Sequence, residues 1–432
     1  MTSRQILNSL RDYESRNITF IDPDGGWPIV WKRARGVNVW DAEGKRYLDL
    51  TAAFGVAATG HANPRVVKAG QKQMAILPHA MGDVHPHELK ACLARKLSAI
   101  TFERWSTGRA KTIFCNSGFE AVEAALKTAF LATSKNGVIA FKGGYHGTGY
   151  GALNATHRAH FRAPFRDQLR QFGHFVGFPT AHDPASLPMV ESEIRRVLRQ
   201  REIGAILVEP IQVRGGINIP PKGFLKMLRR LCDDHKALLI ADEIYTGFGR
   251  TGDWFACEHE RVVPDVVCLG KALTGGFPLS ACAGRSEVMD EAWPLSSGEA
   301  IHTSTFLGNP VGCAMALAQI EEIRSQNLVR RSARSGQHLL KGLESLGFER
   351  GGTRLSSRGR GLLAGLELRH DDGSPAGALA MRIIKKLLRC GFIFLPEGEH
   401  ANIVSFTPAL TISEAQLRSA VVALDRTLSW RE

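Results

Sequence analysis

The sequence predicts an α/β protein built on a largely parallel β-sheet, with a smaller α+β region beside it. Strand-like and helix-like signals alternate through most of the chain. Short continuous apolar runs recur at 138–141, 205–208, 238–241 and 266–269, the pattern of strands buried on both faces of a parallel sheet. Each run passes at once into polar or glycine residues, the place where ligands collect in open α/β sheets. With 432 residues, 44% hydrophobic and 22% charged, the chain can bury a large core and divide into more than one domain.

Each element has its own signal. Residues 37–50 (VNVWDAEGKRYLDL) alternate apolar and polar around Ala42-Glu43-Gly44, which predicts a β-hairpin. From about Thr51 helical and buried-strand patterns take over. Residues 111–115 predict a strand, Asn116-Ser117-Gly118 a turn, and 119–133 a helix with Val122, Ala125, Leu126, Ala129 and Phe130 along one face. After a helix around 311–324 come helices near 331–345 and 377–389 and strands near 362–368 and 392–395.

Composition excludes several function classes. No run of eighteen apolar residues occurs, and residues 1–17 are polar, so neither a membrane span nor a signal peptide is expected and the protein reads as cytoplasmic. The eight cysteines form no C-x-x-C pair, so free thiols are expected rather than a zinc site or disulfide scaffold, and no metal site is predicted. The net charge of +13 is concentrated at Arg158, Arg162, Arg166 and Arg170, at 195–201 and at 350–360. None of these stretches interleaves aromatics, so they read as solvated helix faces and no nucleic-acid partner is expected.

The sheet ends carry the chemistry. They present Gly143-Gly144-Tyr145-His146-Gly147, Glu209-Pro210-Ile211-Gln212, Asp242-Glu243 and Gly270-Lys271. An aspartate and a lysine from neighbouring strands can be no more than a structural salt bridge. The turn Ser117-Gly118-Phe119 shifts the balance, because it opens a helix whose free N–H groups and dipole suit a phosphate. A phosphate cradle, an acid and a lysine on one sheet edge meet the needs of pyridoxal phosphate: an anchored phosphate, a carboxylate for the ring nitrogen and an amine for the aldehyde.

These segments resemble the class III (ω-amino acid or acetylornithine-like) aminotransferases of fold type I over about residues 36–410. The resemblance is carried by FCNSGFEAVEAALKTA at 114–129, FKGGYHG at 141–147, VEPIQ, LLIADEIYTGFGRTG and PDVVCLGKALTGGFPL within 205–279, and HTSTFLGNPVGCA at 302–314, in the family's order and spacing. It implies a large domain over 51–325 with a mostly parallel sheet sandwiched by helices, and a small α+β domain from residues 1–50 and 326–432. It further implies that Lys271 forms the Schiff base and then moves the substrate proton, and that Asp242 holds the ring nitrogen protonated. Ser117, Gly118 and Phe119 would cradle the phosphate, Tyr145 would stack on the ring, and Gln212 would lie near its phenolic oxygen. Glu209 matches a glutamate that can pair with a mobile arginine, and Thr305 would reach the neighbouring subunit's phosphate, which implies a homodimer with shared active sites.

Plainer roles stand beside these. His146 can be a satisfied core histidine as readily as a cofactor neighbour, Glu243 can simply organise the loop 245–252, and Gly249 to Gly252 can be only a tight turn. Three positions depart from the pattern. Phe119 lacks a hydroxyl that some members have, while Thr148 and Ser405 stand where many carry the arginines that grip ω- and α-carboxylates. Arg158, Arg162 and Arg166 are the candidate substitutes. The implied function is an aminotransferase passing an amino group from an amine or amino acid to a carbonyl acceptor by a ping-pong cycle. A same-fold aminomutase, epimerase or lyase without a net acceptor is the alternative.

Overall fold

The computed structural model describes residues 1–23, 26–183, 185–350 and 352–429. Residue 351 of the basic stretch 350–360 and residues 430–432 of the C-terminal region lie outside the described residues.

A seven-stranded sheet forms the centre. Its strands run in the order Ala110–Cys115, Ser280–Arg285, Val266–Leu269, Leu238–Asp242, Ile203–Val208, Gly137–Phe141 and Gly173–Val176. All neighbours pair parallel except Ser280–Arg285, which is antiparallel to both of its partners. The four apolar runs are buried at every position except Leu238, which is half-buried, as strands covered by helices on both faces must be. The Ser280–Arg285 strand has no such signal, because SACAGR is small and mixed in polarity.

The helix Gly118–Thr133 follows the first strand and packs on four others. Its buried face is built from Ala121, Val122, Ala124, Ala125 and Ala129, small side chains that let helix and sheet approach closely. Phe130, expected on that face, is instead exposed, because the alanines carry the contact one position round the helix. The turn before the helix is held by Glu120, whose carboxylate accepts hydrogen bonds from the N–H groups of Asn116 and Ser117 at 2.7 and 2.8 Å.

Two smaller sheets flank this unit. The predicted hairpin forms Asn38–Asp41 and Arg46–Asp49, joined by Trp31–Arg35, and the sheet is closed by Phe392–Ile393 pairing parallel to Arg46–Asp49. The second, five-stranded sheet contains Glu349–Arg350, Thr353–Arg360, Leu363–His370, Ile403–Phe406 and Leu395–Glu397. The expected strand at 392–395 is thus two short strands in different sheets. Of the three basic stretches, 195–201 ends the helix Ser186–Gln200 as expected, but 353–360 is a strand, and residues 159–168 form one four-residue helical turn followed by a 3-10 turn through Pro164.

Candidate active site

The carboxyl ends of four neighbouring strands converge. Tyr145 and His146 follow Gly137–Phe141, Glu209 follows Ile203–Val208, Asp242 ends its own strand, and Lys271 follows Val266–Leu269. Together with Gly118, Phe119, Thr148 and Arg214 they line a cavity of about 500 Å³. A larger cavity of about 860 Å³ lies at the amino ends of the strands, beside Gly137 and Gly204, and is lined by none of the predicted cofactor residues.

Asp242 is buried and doubly held. One carboxylate oxygen accepts from the Ile244 N–H at 3.1 Å and the other lies 2.8 Å from His146 Nδ1. Burial pulls the His146 imidazole down, but the hydrogen bond and charge of Asp242 outweigh it and hold the ring above its ordinary value. His146 is therefore both a buried histidine and the direct partner of the site's carboxylate. Its loop requires glycine: Gly147 sits at φ +112°, and a Cβ there would meet Phe119 Cβ at 2.3 Å.

Lys271 makes no ion pair with Asp242, so the structural salt bridge is not formed. Its Nζ stands 4.4 Å from the centre of the Tyr245 ring and makes no hydrogen bond to a described residue. Burial lowers the amine below its ordinary range, with the charge of Asp242 opposing. The backbone at Lys271 has φ +41°, a left-handed conformation that costs energy for a side chain of this size. An unpartnered amine on a strained turn, facing a cavity, is placed for reaction rather than for support.

The phosphate end of the site also fits. Ser117 Oγ is buried without a hydrogen-bond partner, and the first N–H groups of the helix Gly118–Thr133 have no acceptor within the helix. An anion with several oxygens satisfies both, so these residues suit a phosphorylated pyridine aldehyde. Phe119 contributes backbone and a partly exposed ring to the cavity wall.

Other predicted residues are placed differently. Glu209 is buried, with its carboxylate accepting from the N–H groups of Tyr145 at 2.9 Å and Val213 at 3.2 Å, and burial pushes it up to about 7. It pairs with no arginine among the described residues; the arginine–carboxylate pair nearby is Arg214 with Glu397, at 3.7 Å. Gln212 does not line the cavity. Its amide donates to the Lys142 carbonyl at 2.8 Å and accepts from Asn218 at 3.0 Å, tying two loops behind Tyr145. Glu243 is fully buried and accepts from Thr246 and from the N–H groups of Ala256 and Cys257, so it organises the following loop. Thr305 is exposed and does not line the cavity of its own chain.

The clamp positions hold no cation. Thr148 is exposed at the cavity, and Ser405 is buried with its hydroxyl donating to the Leu395 carbonyl at 2.9 Å. The candidate substitutes do not line the cavity either: Arg158 donates to the Gly398 and Glu399 carbonyls, and Arg162 stacks on Phe175. Arg214, five residues beyond Glu209, was not among those candidates and does line it.

Known proteins place this geometry in context. The sequence profile of the class III aminotransferases matches residues 21–428. The acetylornithine aminotransferase of Methanosarcina acetivorans is 38% identical over 402 residues, 93% of this chain and 92% of the relative. An aminotransferase from Bacillus anthracis superposes with a TM-score of 0.90 at 28% identity, covering 99% of both chains. An amine transaminase from an uncultivated Pseudomonas species, solved with pyridoxal phosphate bound, superposes with a TM-score of 0.88 at 26% identity over 96% of this chain and 98% of that one.

Proposed function

From the premise that the chain belongs to the class III aminotransferase family, and so is a pyridoxal-phosphate-dependent enzyme, we propose which of its residues carry out transamination. The observation that supports the assignment best is the unpartnered Lys271 amine facing the cavity that the Asp242–His146 pair also lines. When bound, the cofactor supplies an electron sink that lets the substrate carbon release a proton. Lys271 would hold the cofactor aldehyde through Nζ, and its amine, whose proton affinity burial lowers, would serve as the base that moves the substrate proton. Asp242 would keep a proton on the ring nitrogen, and His146 fixes the carboxylate's direction. Ser117, Gly118 and Phe119 would hold the phosphate, and Tyr145 would stack on the ring.

Two half-reactions test this. Added amino donor should change the cofactor absorbance, and a 2-oxo acid should restore it with formation of the matching amino acid. Release of an isomerised or cleaved product with no need for an oxo acid would favour the aminomutase, epimerase or lyase alternative. The missing side chains at Thr148 and Ser405 make pyruvate with alanine the expected pair over 2-oxoglutarate with glutamate.

The assembly we propose is a homodimer in which Thr305 completes the partner's phosphate site. Thr305 and its neighbour Phe306 are exposed on one chain, and Phe54 and Phe119 are partly exposed at the mouth of the cavity. Removing one charge-assisted hydrogen bond costs about 1.5–3 kcal/mol, so Thr305→Ala should retain cofactor roughly 10- to 150-fold less tightly in equilibrium dialysis. Unchanged retention, or an active monomer in sedimentation, would remove Thr305 from the site. The large unit over 51–325, the small one from 1–50 and 326–432, a cytoplasmic location and the absence of a nucleic-acid partner belong to the same proposal. The mixed-origin sheet that joins Phe392–Ile393 to the N-terminal hairpin supports the domain division.

A further inference from the structure

We propose that Arg214 receives the substrate's carboxylate and that the enzyme therefore selects amino acids and oxo acids bearing a single carboxylate. The inference rests on the proposed transaminase site and names its substrate class.

Arg214 is the one arginine among the described residues that line the cavity with Lys271. Its guanidinium lies 5.7 Å from the centre of the Tyr145 ring, and its side chain keeps 29% of its exposure. The group makes no hydrogen bond to a described residue: its nearest acid, Glu397, stands 3.7 Å from Nε, beyond hydrogen-bond length. Neighbouring arginines differ. Arg158 donates to two carbonyls of the 398–399 turn, and Arg358 donates to the Gly216 and Ile217 carbonyls and to Glu367. Five N–H donors in a planar fork, at a cavity wall and without acceptors, match a carboxylate in bidentate geometry.

The surroundings set the limit of one carboxylate. Thr148 and Ser405 supply no charge, Lys271 is the other lysine or arginine among the described residues of the lining, and the His146 imidazole is already paired with Asp242. Glu397 is 2% exposed and its Oε2 has no hydrogen-bond donor, so the wall behind Arg214 is already acidic. Much of the remaining lining is apolar, including Phe54, Phe161 and Ile244. A second carboxylate would be desolvated there with no partner.

The test is calorimetric titration of the cofactor-loaded protein with valerate and with glutarate, which share a five-carbon chain and differ in one carboxylate. Wild type should bind valerate more tightly than glutarate. Arg214→Gln should weaken valerate about 10- to 100-fold, the scale of a lost charge-assisted hydrogen-bonded pair, and Arg214→Lys should fall between, since it keeps the charge but not the fork. The cofactor absorbance should be unchanged in both variants. If Arg214→Gln is recovered without cofactor, Arg214→Lys alone must still weaken valerate several-fold. Equal valerate binding by wild type and both variants, or tighter glutarate binding by wild type, overturns the inference. Loss of the pyridoxyl group from Lys271 in wild type would instead overturn the cofactor assignment on which it rests.

Discussion

Lys271→Ala is expected to reduce transamination by at least about 10²–10⁴-fold, the contribution of a positioned general base, and further through loss of the cofactor's covalent attachment. The physical basis is specific to this site. The Lys271 amine makes no ion pair and no hydrogen bond to a described residue, and burial lowers its affinity for a proton, which favours its use as a base. Alanine keeps the Cβ that φ +41° already accommodates and removes only the desolvated amine and its stem. The variant should therefore fold at least as stably as wild type while losing turnover, and exogenous methylamine should restore part of the rate. A variant that keeps a tenth or more of the wild-type rate would contradict the assignment.

The second large effect is expected at Asp242. Asp242→Asn preserves shape but removes the charge, and should lower turnover about 10²–10³-fold, the scale of deleting one preorganised electrostatic partner. It should also change the pH dependence of stability in cofactor-free protein. In wild type Asp242 raises the folded-state pKa of His146 above its unfolded value, so the pair's stabilisation is complete below the unfolded pKa and is lost as pH rises through the folded one. In the variant the buried imidazole stays neutral and must be deprotonated on folding. The gap in melting temperature between the two proteins should accordingly widen as pH falls through about 6.5 and narrow at higher pH. A constant gap would mean that Asp242 and His146 are not coupled.

The parts of the fold legible in the sequence are those in which burial writes a continuous pattern. The runs 205–208 and 238–241 lie in strands covered on both faces, so every position of the run is apolar and the acidic residue that follows it marks the sheet's edge. By the same logic Asp242 directly follows the run 238–241, and Lys271 follows the run 266–269 by one glycine. Ser280–Arg285 escaped because small residues packed under a helix of alanines carry no such run. Glu397 was invisible for a different reason: it comes from a short strand more than a hundred residues beyond Lys271, and only the tertiary fold carries it to Arg214.

Residue roles were legible less evenly. The motif around Tyr145 pointed to the site, and the structure brings it against Asp242 through His146. Spacing could not show that Gln212 is engaged with Lys142 and Asn218, or that Glu209 holds backbone N–H groups instead of an arginine. Arg158, Arg162 and Arg166 follow the ring-stacking segment in sequence, but the fold turns them away from the cavity lining. The available signal was Arg214, directly after VEPIQV, on a turn leaving the same sheet edge as Glu209.

The central claim is that the cofactor is held by Lys271 at the edge shared with Asp242. Borohydride reduction of the purified, cofactor-replete enzyme followed by peptide mapping tests it most directly. The pyridoxyl group should be found on the peptide containing Gly270-Lys271-Ala272, at Lys271. Its recovery on another lysine, or on none, would contradict the account.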